Sequence, residues 1–137
     1  MNFGSTVLEI QGSSAIVRPE PANDDTRVEP DADGRDVVLR GGEETDDFIS
    51  ALRAATEPSA VSVVVVDLGR VRQITSRALG AIVDSTNRLA QRQGRVAVAG
   101  VSTRIQKVMD TLKLSTLIAS FESAQAAIDA KGSRPAN

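Results

Sequence analysis

The chain has 137 residues and a net charge of −2, is 41% apolar and 25% charged, and carries three phenylalanines as its only aromatics, with neither cysteine nor histidine. Missing cysteine excludes disulfides, thiolate zinc sites and thiol catalysis, and missing histidine removes the commonest general base and metal ligand, so composition argues against most enzyme classes. The length suits one domain with an aliphatic core, no stretch approaches the roughly 20 apolar residues of a membrane helix, and no signal-peptide pattern opens the chain, so a cytoplasmic protein is expected.

In chain order, Thr6–Ile10 and Ala15–Arg18 are two short extended runs around Gln11-Gly12-Ser13-Ser14, a hairpin pattern. Pro19 to Gly34 holds three prolines, many acids and few apolar residues, and is expected to be a mobile loop. Residues 1–35 are thus read as a hairpin plus acidic loop, and 36–130 as the main folded unit. Val37-Val38-Leu39 is a short strand. Phe48, Ile49, Leu52 and Ala55 make one stripe of a helix over about Thr45 to Ala55, begun by acids that suit its positive end and stopped at Glu57-Pro58.

Val61–Val66 is a nearly continuous β-branched run, interrupted at Ser62, as in a strand covered on both faces, and Asp67-Leu68-Gly69 leads out of it. A long helix follows from Ser76 to about Arg92. Its Leu79, Ile82, Val83, Thr86, Leu89 and Ala90 share one face; Ser76, Arg77, Gly80, Asp84, Asn87 and Gln91 turn away, and Gly94 is expected to cap its end. Val96–Ala99 is the next strand. Ser102 should cap a helix whose Ile105, Val108, Met109 and Leu112 keep helical spacing. Leu117–Phe121 and Ser123–Ala130 close the pattern as strand and helix, and 131–137 is a frayed tail. The alternation predicts an α/β domain: a mixed, mainly parallel sheet with helices packed against it and an antiparallel hairpin at its edge.

Charge is uneven along the chain. From Glu20 to Asp47 eleven acids face three arginines, a net −8; from Leu68 to Lys113 nine bases face two aspartates, a net +7. Such asymmetry suits an acidic arm lying near a basic face, or a basic face awaiting a partner. The plainer reading, which the small worth of exposed charge favours, is a solvated acidic loop and an ordinarily charged surface.

The junction Arg72-Gln73-Ile74-Thr75-Ser76-Arg77-Ala78-Leu79-Gly80 is the first place to look for chemistry. A helix start offers unpaired N–H groups and a positive dipole end, Arg72 and Arg77 add positive field, and Gly80 leaves room for another chain. Such a position suits a phosphate on Ser76. On spacing alone, a plain capping role for Thr75 or Ser76 is the favoured reading, since capping Ser and Thr are common.

Val64-Val65-Val66-Asp67-Leu68-Gly69 followed by Ile74-Thr75-Ser76-Arg77-Ala78-Leu79-Gly80-Ala81-Ile82 resembles the STAS domain, the fold of bacterial anti-sigma factor antagonists. Gly94–Val101 is similar to that family's glycine-led strand, Val108–Leu114 to its third helix, and Phe121-Glu122-Ser123 to its last turn. Arg40-Gly41-Gly42-Glu43 is similar to a turn of the family before its first helix. The resemblance implies a binding switch rather than an enzyme, with no cofactor and no metal. The module would dock on a serine kinase that is also an anti-sigma factor. The kinase would phosphorylate Ser76 and so release the module, and a metal-dependent, PP2C-type phosphatase would restore it. Matched by position, Ser76 is the phosphoacceptor, Thr75 stands where the family has Asp, Arg77 where it has a second serine, and Ala78 where it has Gly. Thr75 is the alternative acceptor. Thr75, Arg77, Gly80, Asp84, Asn87 and Arg88 are the expected partner-binding residues, and a monomer or weak dimer is expected.

The competing reading of the same resemblance is a permanent scaffold, an unphosphorylated STAS subunit in a signalling or transporter-ATPase assembly. A receiver with Asp67 as acyl-phosphate acceptor, Asp24 and Asp25 as metal ligands and Lys107 as cation has suitable residue types, but Asp67 fits a turn-capping role better. Nucleic-acid binding is disfavoured, since no stacking ring lies among the arginines, and no histidine exists to activate Ser76 for hydrolysis.

Overall fold

In a computed structural model that describes residues 1–21, 29–40 and 42–130, the periodicities become a layered α/β fold. The strands are β1 (Asn2–Phe3), β2 (Thr6–Gln11), β3 (Ser14–Pro19), β4 (Val37–Leu39), β5 (Val63–Asp67), β6 (Val71–Ile74), β7 (Arg95–Ala99) and β8 (Ala119–Phe121). The helices are α1 (Glu43–Thr56), α2 (Ser76–Ala90), α3 (Thr103–Thr111) and α4 (Ala124–Asp129). Six strands form one sheet in the order β1-β2-β3-β5-β7-β8. The hairpin and β1 are antiparallel, and every pairing from β3 to β8 is parallel. Gly12, at φ 62, turns the hairpin in a conformation that suits glycine, and Gln11 pairs with Ser14 across it.

Alternation along the central strands sorts side chains onto two faces. Val64 and Val66 join Ala15, Val17, Val96 and Val98 on the face carrying α1, α2 and α3, where Phe48, Leu52, Leu79, Ile82, Leu89, Ile105 and Met109 complete the larger core. Val65 points the other way, with Ile16, Ala97 and Ala99, beneath α4 and its buried Ala127. The run of valines is thus buried on both sides, as its sequence required.

Several expectations are corrected. α1 begins at Glu43, two residues before the expected start at Thr45, and α2 ends at Ala90 rather than near Arg92. The β-branched run enters the sheet only at Val63; Val61 is buried, and its carbonyl accepts from the Arg92 guanidinium at 3.0 Å. On α2 the buried set is Ala78, Leu79, Ile82, Ser85 and Leu89, whereas Val83 and Thr86 are half-buried and Ala90 is exposed. Ser85 tolerates burial because its hydroxyl donates to the Ala81 carbonyl at 3.0 Å. At the helix end Gln93, not Gly94, takes the left-handed turn at φ 63. Gly94 is small for another reason: a Cβ there would meet the Ser62 carbonyl oxygen at 2.6 Å. On α3, Ile105 and Met109 are buried but Val108 and Leu112 are 39% and 54% exposed. The last strand is shorter than expected, because Leu114–Thr116 forms a 3-10 turn after Lys113 at φ 61.

The alternation does not reveal β1, β6 or the pairing of β6 with β4 in a separate two-stranded parallel sheet. Residues 131–137, Asp24, Asp25 and Gly41 lie outside the described residues.

Candidate functional site

β4 and β6 set the entry to α2. The Thr75 amide donates to the Leu39 carbonyl at 2.9 Å, which fixes the residue before the helix in extended backbone (φ −97, ψ 166). Its carbonyl accepts from Leu79 N at 3.0 Å, opening the helix, yet its side chain makes no capping bond. Thr75 Oγ1 is instead buried without a hydrogen-bond partner. The sequence marked Thr75 or Ser76 as an ordinary cap; Thr75 holds the cap position with its hydroxyl turned inward. The capping chemistry appears at α3, where Ser102 Oγ accepts from Ile105 N at 3.1 Å, and at α4, where Ser123 Oγ accepts from Ala126 N at 3.1 Å.

Ser76 is the first residue of α2 and is exposed. One turn on, Gly80 is also exposed, and a Cβ built there would meet nothing within 4 Å. Asn87 lies exposed on the same helical stripe. The neighbouring stripe carries Arg77, Asp84 and Arg88. Arg77 Nη2 reaches Asp46 of α1 at 2.5 Å, and Arg88 pairs with Asp84 one turn before it at 3.2 Å. The residues singled out from the sequence therefore share one helix face, apart from Thr75 at its head. α2 has no acid in its first turn, so the field of the helix start is uncompensated from within.

Between α1 and α2 runs a groove of about 430 Å³ that the sequence did not reveal. Ile49, Leu52, Ala81 and Ser85 form its inner wall. Arg53, Arg77, Asp84 and Arg88 line it with charge. Ile49 and Arg53 could be recognised only once α1 was known to pack against α2, a long-range pairing that no local spacing encodes.

The acidic segment does lie against the basic half. Asp36, 5% exposed, receives Arg70 Nε at 3.1 Å and Nη2 at 2.7 Å in a two-pronged pair. Arg72 Nη1 donates to the Glu29 carbonyl at 3.1 Å. Asp31 Oδ1 accepts from the backbone amides of Arg35 (2.9 Å) and Asp33 (3.0 Å). The Arg35 amide is the main reason its carboxyl sits below the usual carboxylate range; burial opposes it, and the Asp33 amide and the charges of Arg72 and Arg35 add to the lowering. Together with Arg72, Ser102, Thr103 and Arg104, Asp31 and Asp33 line a smaller recess of about 230 Å³ at the start of α3.

Asp67 ends β5 in a turn-capping role: Oδ1 accepts from Gly69 N at 3.0 Å and Oδ2 pairs with Arg18 Nε at 3.2 Å. Lys107 is exposed on α3. Among the described residues no cluster of three acidic, histidine or cysteine side chains could hold a metal ion. No helix among them is long and apolar enough to cross a membrane.

A mixed sheet with three helices on one face, and a helix start presented beside the β4–β6 pair, defines a STAS-type module. The chain belongs to the STAS domain family: the family model described as "Mlab, STAS domain" matches residues 30–119. Solved structures of the same fold include an anti-sigma-factor antagonist (STAS) domain protein from Planctomyces limnophilus, at 17% identity and TM-score 0.70, covering 93% of this chain and 98% of that one. An anti-sigma factor antagonist from Mycobacterium paratuberculosis matches at 14% identity and TM-score 0.68 over 91% of each chain. The Bacillus cell fate determinant SpoIIAA in its phosphorylated form matches at 16% identity and TM-score 0.63, over 90% of this chain and 96% of that one. At these identities the likeness is one of fold. No curated protein matches the chain.

Proposed function

We propose that the chain is an anti-sigma factor antagonist, a binding protein rather than an enzyme, whose α2 face docks on a serine kinase that doubles as an anti-sigma factor. Phosphorylation of Ser76 ends that docking. The observation that carries this reading is the exposure of Ser76 in the first turn of α2, on a face left open at Gly80. A kinase must bring a hydroxyl oxygen to the γ-phosphorus of ATP, and an exposed serine on an open face permits it. Ser76 Oγ takes the phosphoryl group, ADP leaves, and the hydroxyl proton passes to a base of the kinase. A metal-dependent phosphatase of the PP2C type then returns the group to water. Thr75 is the weaker acceptor, because its Oγ1 is buried.

The phosphate adds about −1.5 to −2 charge in the middle of the contact, where repulsion and lost hydration weaken binding. The fold survives, since helix-start N–H groups tolerate an anion. The Bacillus protein of like fold has been solved in phosphorylated and unphosphorylated forms, which supports a modification that leaves the module folded. In this reading the chain works in the cytoplasm as a monomer or weak dimer.

Two observations favour the scaffold reading instead. Thr75 turns its hydroxyl inward, so the cap position offers no carboxylate to orient Ser76 Oγ. Arg77, next to Ser76, supplies a charge that could neutralise a phosphate. The two readings part under mutation. In the switch, Ser76→Ala binds a serine kinase of the anti-sigma class as the parent does, whereas Ser76→Glu loses about a hundredfold, near 2.7 kcal/mol. Calorimetry reads the difference, and mass spectrometry after incubation with kinase and ATP locates the phosphate. Equal binding by both variants, with no phosphate on Ser76 or Thr75, establishes the scaffold.

A further inference from the structure

We propose that the groove between α1 and α2 is a docking site for an acidic segment of the protein partner, one that carries aliphatic side chains between its carboxylates. This rests on the reading that the α2 face meets a protein, and adds the chemistry of what enters beside it.

Charge complementarity makes the case. Three guanidinium groups, those of Arg53, Arg77 and Arg88, line the groove against one carboxylate, that of Asp84. Asp84 is already engaged by Arg88, and Asp46 outside the groove by Arg77. Arg53, exposed on the last turn of α1, has no carboxylate partner among the described residues. The two existing pairs are themselves largely exposed, with side chains 46% to 60% accessible. Such exposed pairs contribute little to stability, so an incoming carboxylate can take over a guanidinium at small cost. Arginine also presents a fork that matches a carboxylate with two parallel hydrogen bonds, which a lysine would not.

The inner wall selects the kind of anion. Ile49, Leu52 and Ala81 offer an apolar surface between the charges. A phosphodiester backbone gains nothing from it, whereas a leucine between glutamates on an amphipathic segment fills it. The occupant is therefore an acidic peptide segment, not a nucleic acid.

The test uses the full chain, labelled with nitrogen-15, and a synthetic peptide with glutamate and leucine at helical spacing. A second peptide replaces each glutamate by glutamine. The acidic peptide is expected to shift the amide resonances of Ile49, Arg53, Ala81 and their neighbours, and the glutamine peptide to leave them in place. Arg53→Glu should weaken the acidic peptide by roughly tenfold, the effect of reversing charge in a focused cleft, and Arg53→Gln by less. Shifts confined to other surfaces, equal binding of the glutamine peptide, or an Arg53→Glu protein that binds as the parent does would each overturn the proposal. Because Arg53 is remote in sequence from Ser76, the two readings fail separately. A kinase complex broken by Ser76→Glu but untouched by Arg53→Glu removes the groove and keeps the switch. Peptide binding lost in Arg53→Glu, with kinase binding indifferent to Ser76, keeps the groove and removes the switch.

Discussion

Thr75 and Ser76 are adjacent hydroxyls with opposite surroundings, and the difference comes from a strand far away in sequence. Leu39 accepts the Thr75 amide and draws that residue inward, leaving its Oγ1 buried and unpartnered, while the next residue faces outward. A buried hydroxyl without a partner costs stability, and replacing it by an apolar group of the same shape is neutral or favourable. Thr75→Val is therefore expected to keep or raise the urea midpoint. Ser102→Ala, which removes a formed cap bond at α3, should lower stability by about 1 kcal/mol. A marked loss in Thr75→Val would mean that its hydroxyl has a partner after all. The sequence made these hydroxyls look alike, since each is a Ser or Thr just ahead of an apolar repeat. Their roles separate only through the backbone bond to β4. Exposure of Ser76, by contrast, was legible, because on the helical repeat it falls outside the apolar stripe that Ile82 and Leu89 carry.

At the scale of elements, what could be read was what is local. The central valines, the α1 stripe and the amphipathic α2 declare themselves by period, and so the side of α2 that would face a partner could be named. Strand β6 could not, because Val71-Arg72-Gln73-Ile74 is short and half polar, and it pairs with β4, more than thirty positions earlier. Val108 and Leu112 fit the α3 repeat yet stay exposed: the helix is nine residues long and the chain turns away at Lys113 before Leu112 can meet the sheet. Gly80 tests whether the open side of α2 serves contact or only solvent. Glycine inside a helix costs roughly 0.5–1 kcal/mol relative to alanine, and nothing crowds a Cβ at this position. Gly80→Ala should therefore raise the unfolding free energy by about that amount. If a partner backbone approaches there, the same substitution weakens the complex while the free protein grows more stable. Thermal melting and calorimetry on one preparation separate these effects, and a variant that gains stability with unchanged affinity would move the contact off this stripe.

Across the whole molecule, the opposed charges of the two halves resolve into folding contacts, but the charge pattern alone did not say which residues would carry them. Asp36 meets Arg70 and Asp46 meets Arg77 as opposite charges should. A further tie runs the other way, from a base within the acidic segment to backbone oxygens of the basic half. Arg35 Nη1 lies 3.2 Å from the Leu68 carbonyl, 3.0 Å from that of Gly69 and 2.8 Å from that of Gly100. These oxygens stand just beyond the carboxyl ends of β5 and β7, so one guanidinium joins two parallel strands and anchors the Asp31–Asp36 turn to them. Hydrogen bonds from a charged donor contribute about 1.5–3 kcal/mol, and losing this one also leaves carbonyls without their charged donor. Arg35→Ala is expected to lower stability by about that much and to speed amide exchange across residues 29–36, while exchange in β5 and β7 changes little. Arg35→Lys should restore only part of the loss, because a flexible, strongly hydrated ammonium must be ordered to take the place of the one nitrogen, Nη1, that makes all three contacts. Hydrogen exchange read by mass spectrometry, beside urea unfolding, measures both quantities. Unchanged protection over 29–36 in Arg35→Ala would show that Asp36–Arg70 and the backbone bonds of β4 suffice to hold the segment, and that the arginine is a surface group that happens to point inward.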